Sequence, residues 1–292
     1  MTNFVPGFSP RLNSVTSGSG RSPLSWSGSA IAWLFALTFA GEPALSAQEV
    51  AVEVSVVEET TREAHTGRTG EYTTSVTITD LLGESTAQLY VPILPIDEPV
   101  EWEVYVPESY DPAVPAGLLV YISPMDNGGI PDNWKPLMSK KNLIWIAANH
   151  SGNQVAAGRR MVHAVLATAV INRNYRLDGK RVFISGFSGG GRVSSMVATE
   201  YPHIFRGAIY NCGADFWDTE SPKQMKRILR NRYVFITGSK DFNRRDTRRV
   251  FRKYEKAGVV QIKLMVIKGM GHRNPDADDY ASAIAYLDGE VE

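Results

Sequence analysis

A short apolar run that breaks into Gly-x-Ser-x-Gly limits what this chain can fold into more than any other feature. Arg181-Val182-Phe183-Ile184-Ser185 reads as a buried strand, and Gly186-Phe187-Ser188-Gly189-Gly190 follows it directly. Val193, Met196 and Val197 then recur at helical spacing. A strand that turns into a helix within so few residues forces the serine into strained backbone angles, and small neighbours avoid the clashes. Such an elbow lifts a hydroxyl clear of the sheet edge, which makes Ser188 a candidate nucleophile.

A serine hydroxyl needs a base, and the base needs an acid to hold its tautomer. Tyr233-Val234-Phe235-Ile236-Thr237 reads as a strand followed by Gly238-Ser239-Lys240-Asp241. Ile262-Lys263-Leu264-Met265-Val266-Ile267 reads as the next, followed by Gly269-Met270-Gly271-His272. In a parallel sheet both side chains leave the same edge as Ser188. Asp241 is the expected acid. Asp215, just past the strand at 207–211, is its rival, because the acid of such a fold can also sit there.

Three segments carry a resemblance. They are Leu177-Asp178-Gly179-Lys180 running into the elbow, Glu200-Tyr201-Pro202-His203-Ile204-Phe205-Arg206-Gly207, and Gly269-Met270-Gly271-His272-Arg273-Asn274-Pro275. From about Val104 onward the chain resembles the α/β-hydrolase superfamily, and within it secreted esterases of the feruloyl esterase and polyhydroxybutyrate depolymerase type. The resemblance implies a mostly parallel central sheet with helices on both faces and antiparallel N-terminal strands. It also places nucleophile, acid and base on Ser188, Asp241 and His272. It does not name a substrate.

One segment departs from that pattern. Such esterases carry His-Gly after the third core strand, where a backbone N–H completes the oxyanion hole. Here Leu118-Leu119-Val120-Tyr121-Ile122 runs into Ser123-Pro124-Met125. Pro124 has no N–H to donate. The Gly189 and Met125 N–H groups are the candidate donors.

Strands are expected at about 118–122, 143–148, 181–185 and 207–211, alternating with helices, which implies a parallel sheet. Met161, Val162, Val165, Leu166, Ala169 and Val170 share one helix face. Before these, Val50 to Val57, Tyr72 to Ile78, Ala87 to Val91 and Trp102 to Val106 read as strands. They fit either the first strands of the main sheet or a small β-module. Twenty residues separate Cys212 from Tyr233, too few for a large lid where this fold usually inserts one. Phe216 and Trp217 fall there and are candidate substrate-binding aromatics.

Ahead of the fold, Ala30 to Ala40 is an apolar run of eleven residues preceded only by Arg11 and Arg21 as charges. That is too short to span a bilayer and suits a signal-peptide core, with small residues at Ala44-Leu45-Ser46-Ala47 for cleavage. The expected organisation is a signal peptide at 1–47, a β-strand extension at 48–97 and a catalytic domain at 98–292. Export to the periplasm or outside the cell follows, with a retained anchor as the alternative. Lysine plus arginine equal aspartate plus glutamate at 31 each, so charge balance points to neither nucleic acid nor an acidic membrane surface. Cys212 is the only cysteine, so no internal disulfide can form, and it reads as a small buried hydrophobe.

The remaining polar residues read as structural. His150 is expected in a loop, His163 inside a helix, His203 in the Tyr-Pro segment, and Asp246 on a solvated helix face. The histidines lack metal-ligand spacing, so neither metal nor cofactor is expected. Arg244, Arg245, Arg248, Arg249 and Arg252 suit a solvated helix, with an anionic polysaccharide as the alternative partner. The expected activity is hydrolysis of a small or polymer-borne carboxylic ester through an acyl-enzyme. A peptidase, an acyltransferase and a non-catalytic binding protein remain open.

Overall fold

A computed structural model describes residues 67–216 and 221–290. The expected strand at Val50 to Val57 and the expected signal segment lie outside the described residues.

Eight strands form one sheet in the order β1-β2-β4-β3-β5-β6-β7-β8. They are β1 (Gly70–Val76), β2 (Val100–Val106), β3 (Ala116–Ile122), β4 (Leu143–Ala148), β5 (Leu177–Phe187), β6 (Gly207–Asn211), β7 (Arg232–Gly238) and β8 (Ile262–Ile267). The pairs β1–β2 and β2–β4 are antiparallel. All later pairs are parallel. Burial tracks position in the sheet. Every residue of central β3 is buried, whereas edge strand β1 alternates between half-buried and exposed. At the opposite edge, β8 pairs with β7 alone and all six of its residues are half-buried.

Strand periodicity splits the core in two. Leu118, Val120 and Ile122 of β3 face one cluster, which includes Met161, Val165, Val193, Val197 and Tyr254. These come from α4 (Ala157–Asn174), α5 (Gly189–Glu200) and α7 (Arg244–Lys256). Leu119 and Tyr121 face the other, with Trp134, Leu137, Met138, Tyr280 and Ile284. That face is covered by α3 (Lys135–Lys140) and α8 (Ala277–Asp288). On α7, Thr247, Val250 and Tyr254 point inward, which leaves its arginines to the outer face.

The N-terminal region corrects two expectations. Ile78 does not extend β1. Thr77 caps a new helix, its side chain accepting from Asp80 N at 3.0 Å, and α1 (Ile78–Leu82) starts there. Ala87 to Val91 is not a strand either. It is the end of α2 (Glu84–Ala87) and a 3₁₀ turn at Gln88–Tyr90. Ala87, Tyr90 and Leu94 are all buried at helical spacing, so packing selects the helical period over the strand one. Strands β1 and β2 are the first two strands of the main sheet, not a separate module. A short helix, α6 (Pro222–Ile228), precedes β7.

Candidate active site

Ser188 stands between β5 and α5 with φ 54° and ψ −118°, a left-handed conformation rare outside glycine. The turn leaves no room beside it. A Cβ on Gly190 would lie 1.9 Å from the Ile122 carbonyl oxygen, and one on Gly186 would lie 2.5 Å from the Gly190 backbone. Those two glycines let the helix start pack directly onto β3 and β5. The Ser188 N–H donates to the Asn211 carbonyl at 2.8 Å, which ties the elbow to β6.

The ends of β7 and β8 bring the partners in. His272 Nε2 lies 2.9 Å from Ser188 Oγ, and its Nδ1 lies 2.8 Å from Asp241 Oδ1. A carboxylate can only accept, so Nδ1 carries the proton and Nε2 is left to accept from the serine hydroxyl. Asp241 is buried and held from two more directions. Thr237 Oγ1 donates to Oδ2 at 2.7 Å, and the Asn243 N–H donates to Oδ1 at 3.0 Å. Burial alone would raise this carboxyl. The bonds from Thr237, Asn243, His272 and Cys212 more than offset it and hold the group below the usual aspartate range. Two aromatic rings flank the imidazole, Phe187 at 4.8 Å and Phe242 at 4.0 Å between centroids. Phe242 is 76% exposed, an apolar face presented beside the base.

Asp215 sits elsewhere. It pairs with Arg192 Nη1 at 2.9 Å, while Arg192 Nη2 holds Asp246 at 2.8 Å. Asp246 also meets Arg249, so it is an ion-paired residue rather than a freely solvated one. Phe216, expected as a pocket residue, packs its ring edge-on against Tyr254 at 5.6 Å, beneath Lys253. It belongs to the core on the α7 side. Trp217 lies outside the described residues. Gly189 is the first residue of α5, where a helix N–H has no carbonyl one turn back. Met125 N–H, the other expected oxyanion donor, points to Ser123 Oγ at 3.1 Å within its own loop.

His150 is exposed, 3.9 Å from Glu101. His163 and His203 are pushed down to about 4, chiefly by burial. Cys212, Asp241 and His272 place a thiol, a carboxylate oxygen and a ring nitrogen within 4.8 Å of one another. Burial pushes the Cys212 thiol up to about 12, so it stays protonated at neutral pH. Thr237, Phe242 and Phe187 are site residues that the sequence reading passed over. The signal for Thr237 was a lone polar side chain closing an apolar run, and for Phe242 an aromatic immediately after the acid.

Residues 162–290 match the prolyl oligopeptidase family. No curated protein sequence matches the chain. Among solved structures, the chain is similar to the feruloyl esterase module from Clostridium thermocellum complexed with sinapinate, at 14% identity and TM-score 0.54, covering 79% of this chain and 93% of that one. It is also similar to a candidate dipeptidyl aminopeptidase IV from Bacteroides ovatus, at 14% identity and TM-score 0.55, covering 78% of this chain. This chain spans only 37% of the length of that peptidase. S-formylglutathione hydrolase from Staphylococcus aureus aligns at 13% identity and TM-score 0.50, over 75% of this chain and 96% of that one. The chain therefore has the α/β-hydrolase fold, and it resembles serine hydrolases of that fold, esterases and peptidases alike.

Proposed function

We propose that this α/β-hydrolase is an exported serine hydrolase that cleaves carboxylic esters through an acyl-enzyme. The observation that carries the reading is the unbroken hydrogen-bond chain from Ser188 Oγ through His272 to Asp241, at 2.9 and 2.8 Å. In this reading Ser188 Oγ attacks the ester carbonyl as its proton passes to His272 Nε2. Asp241 stabilises the imidazolium that results. The Gly189 N–H, at the positive end of α5, donates to the carbonyl oxygen as negative charge builds there. Collapse expels the alcohol, which takes the proton from Nε2. Water then repeats the sequence on the acyl-serine.

Two features support a compact ester over a long-chain lipid. The stretch from Cys212 to Tyr233 is too short for a lid domain. Phe242 offers an exposed aromatic surface beside the ring that protonates the leaving group. Export rests on the apolar run from Ala30 to Ala40 and the small residues that follow it. A peptidase is the second reading, favoured by the match of 162–290 to the prolyl oligopeptidase family.

A fluorophosphonate probe tests the nucleophile. It is expected to label the wild-type protein and not a folded Ser188→Ala variant, and labelling that persists in the variant would overturn the assignment. In parallel, kcat/KM for p-nitrophenyl acetate and methyl ferulate is expected to exceed that for p-nitrophenyl palmitate. Palmitate preferred over acetate would sink the compact-ester reading. Cleavage of a prolyl peptide without turnover of any ester would establish the peptidase instead.

A further inference from the structure

An oxyanion in an acyl-transfer site is held by two donors, and the backbone here supplies one with no competing partner in its own loop. Across the site from Gly189, Pro124 has no N–H, and the Met125 N–H faces Ser123 Oγ. A second donor free of such a competitor has to be sought in a neighbouring segment.

Asn153 is in place. It lies on the exposed loop between β4 and α4, and its amide covers the α-carbon of the residue after the nucleophile. A Cβ on Gly189 would fall 2.1 Å from Asn153 Oδ1 and 3.0 Å from Nδ2, so the amide fills the space a side chain there would take. The N and Cβ of one residue are about 2.5 Å apart, which puts Nδ2 no more than about 5.5 Å from the Gly189 nitrogen. Donors no farther apart than that are within reach of a single oxygen at about 3 Å from each.

The orientation of the amide is fixed from behind. Arg160 Nη1 donates to Asn153 Oδ1 at 3.3 Å. A guanidinium has donors only, so it must take the amide oxygen, and Nδ2 is left to donate elsewhere. Arg160 is 4% exposed and cannot swing away. Its Nε donates to the Ser151 carbonyl at 2.9 Å, and its Nη2 to the Ser123 carbonyl at 2.8 Å. Among the described residues no carboxylate pairs with it, so its positive charge is uncompensated directly behind the amide. Asn153 is further tied to the facing loop by its own N–H, which donates to the Pro124 carbonyl at 3.0 Å.

We propose that Asn153 Nδ2 is the second donor to the oxyanion and that Arg160 is the residue positioning it. The inference rests on Ser188 being the nucleophile. It takes the place of a backbone donor at the Ser123-Pro124-Met125 turn, where the Met125 N–H already faces Ser123 Oγ.

Two variants test it, with p-nitrophenyl acetate turnover and binding of an alkyl trifluoromethyl ketone as readouts. The ketone adds to the serine as a hemiketal that mimics the oxyanion. In Asn153→Ala, kcat is expected to fall on the order of 10²- to 10³-fold with KM within about threefold, and ketone affinity to fall in step. Asn153→Asp keeps an acceptor for Arg160, so the loop stays in place, but sets a carboxylate against the developing charge. It is expected to lose at least as much. A purely structural asparagine predicts the reverse, near-normal activity in Asn153→Asp. Wild-type kcat in either variant, a loss confined to KM, or unchanged ketone affinity would overturn the proposal. Failure of the wild-type protein to react with the fluorophosphonate probe would sink the hydrolase reading beneath it.

Discussion

On the histidine side of Ser188, each side chain hangs from the end of a strand, and the acid is secured within a few residues of it. Asp241 is gripped by Thr237, four positions back, and by the Asn243 N–H, two ahead. On the opposite side, the loops after β3 and β4 are held by bonds that reach across the chain. Arg160 Nη2 reaches the Ser123 carbonyl, the His150 N–H reaches the Asp126 carbonyl at 2.7 Å, and the Asn153 N–H reaches the Pro124 carbonyl. The acid is gripped within its own turn, whereas the opposite flank is held by long-range stitching. A substitution on the first should therefore stay confined to one chemical role. On the second it should move two loops at once.

The sharpest contrast comes from the acids. Asp241→Asn leaves His272 in the wrong tautomer and is expected to lower kcat on the order of 10⁴-fold. Asp215→Asn removes one surface pairing with Arg192 and is expected to change kcat by less than about twofold. Steady-state kinetics on both variants check this, and an inactive Asp215→Asn would reverse the roles. Arg160→Met tests the stitched flank. It leaves the Ser123 and Ser151 carbonyls without their donor, at about 1–3 kcal/mol for each group still buried. Urea unfolding should show that loss together with reduced kcat. Stability lost without any change in kcat would separate Arg160 from the site.

The smallest effect is a pH dependence on the same flank. His163 bonds Ser151 Oγ through Nδ1 at 3.1 Å. Burial chiefly, with Arg159 and Arg160 adding to it and Glu98 opposing, pulls the ring from 6.5 down to about 4. The unfolded chain therefore binds this proton more readily than the folded one across that interval. The contribution is complete above about pH 6.5, declines as pH falls toward 4, and is flat below. Between pH 6.5 and 5 the wild-type protein is expected to lose on the order of 1–2 kcal/mol more than His163→Gln. Parallel curves for the two proteins would contradict this.

The same division explains what could be read from the chain. The Gly186 to Gly190 elbow and the turns ending in Asp241 and His272 each announce themselves within a few residues, because steric demands at a strand end restrict residue type locally. The core strands were equally legible, and Leu143–Ala148 falls where its apolar run does. Ala87 to Val91 misled because five residues of mixed propensity cannot choose a period, and burial of Ala87, Tyr90 and Leu94 decided it. Phe216 could be read either way, as pocket or as core, because proximity along the chain to the sheet edge does not set which way a ring turns. Asn153 carried no signal. An exposed asparagine in a loop acquires a role only through Arg160 and Gly189, and neither contact has a spacing rule.

His272 follows β8, an edge strand with a single hydrogen-bonded neighbour, whereas Ser188 follows β5, which is laddered on both sides by β3 and β6. Fraying starts where one ladder must break instead of two. The lowest-energy excursion that reaches the site should thus peel the β8 edge and carry the imidazole away, with the elbow still formed. Activity would vanish reversibly before the protein melts, and the amides of β8 would exchange with solvent ahead of those of β5. The inactivation temperature of such a molecule reports the firmness of its rim, not the strength of its core.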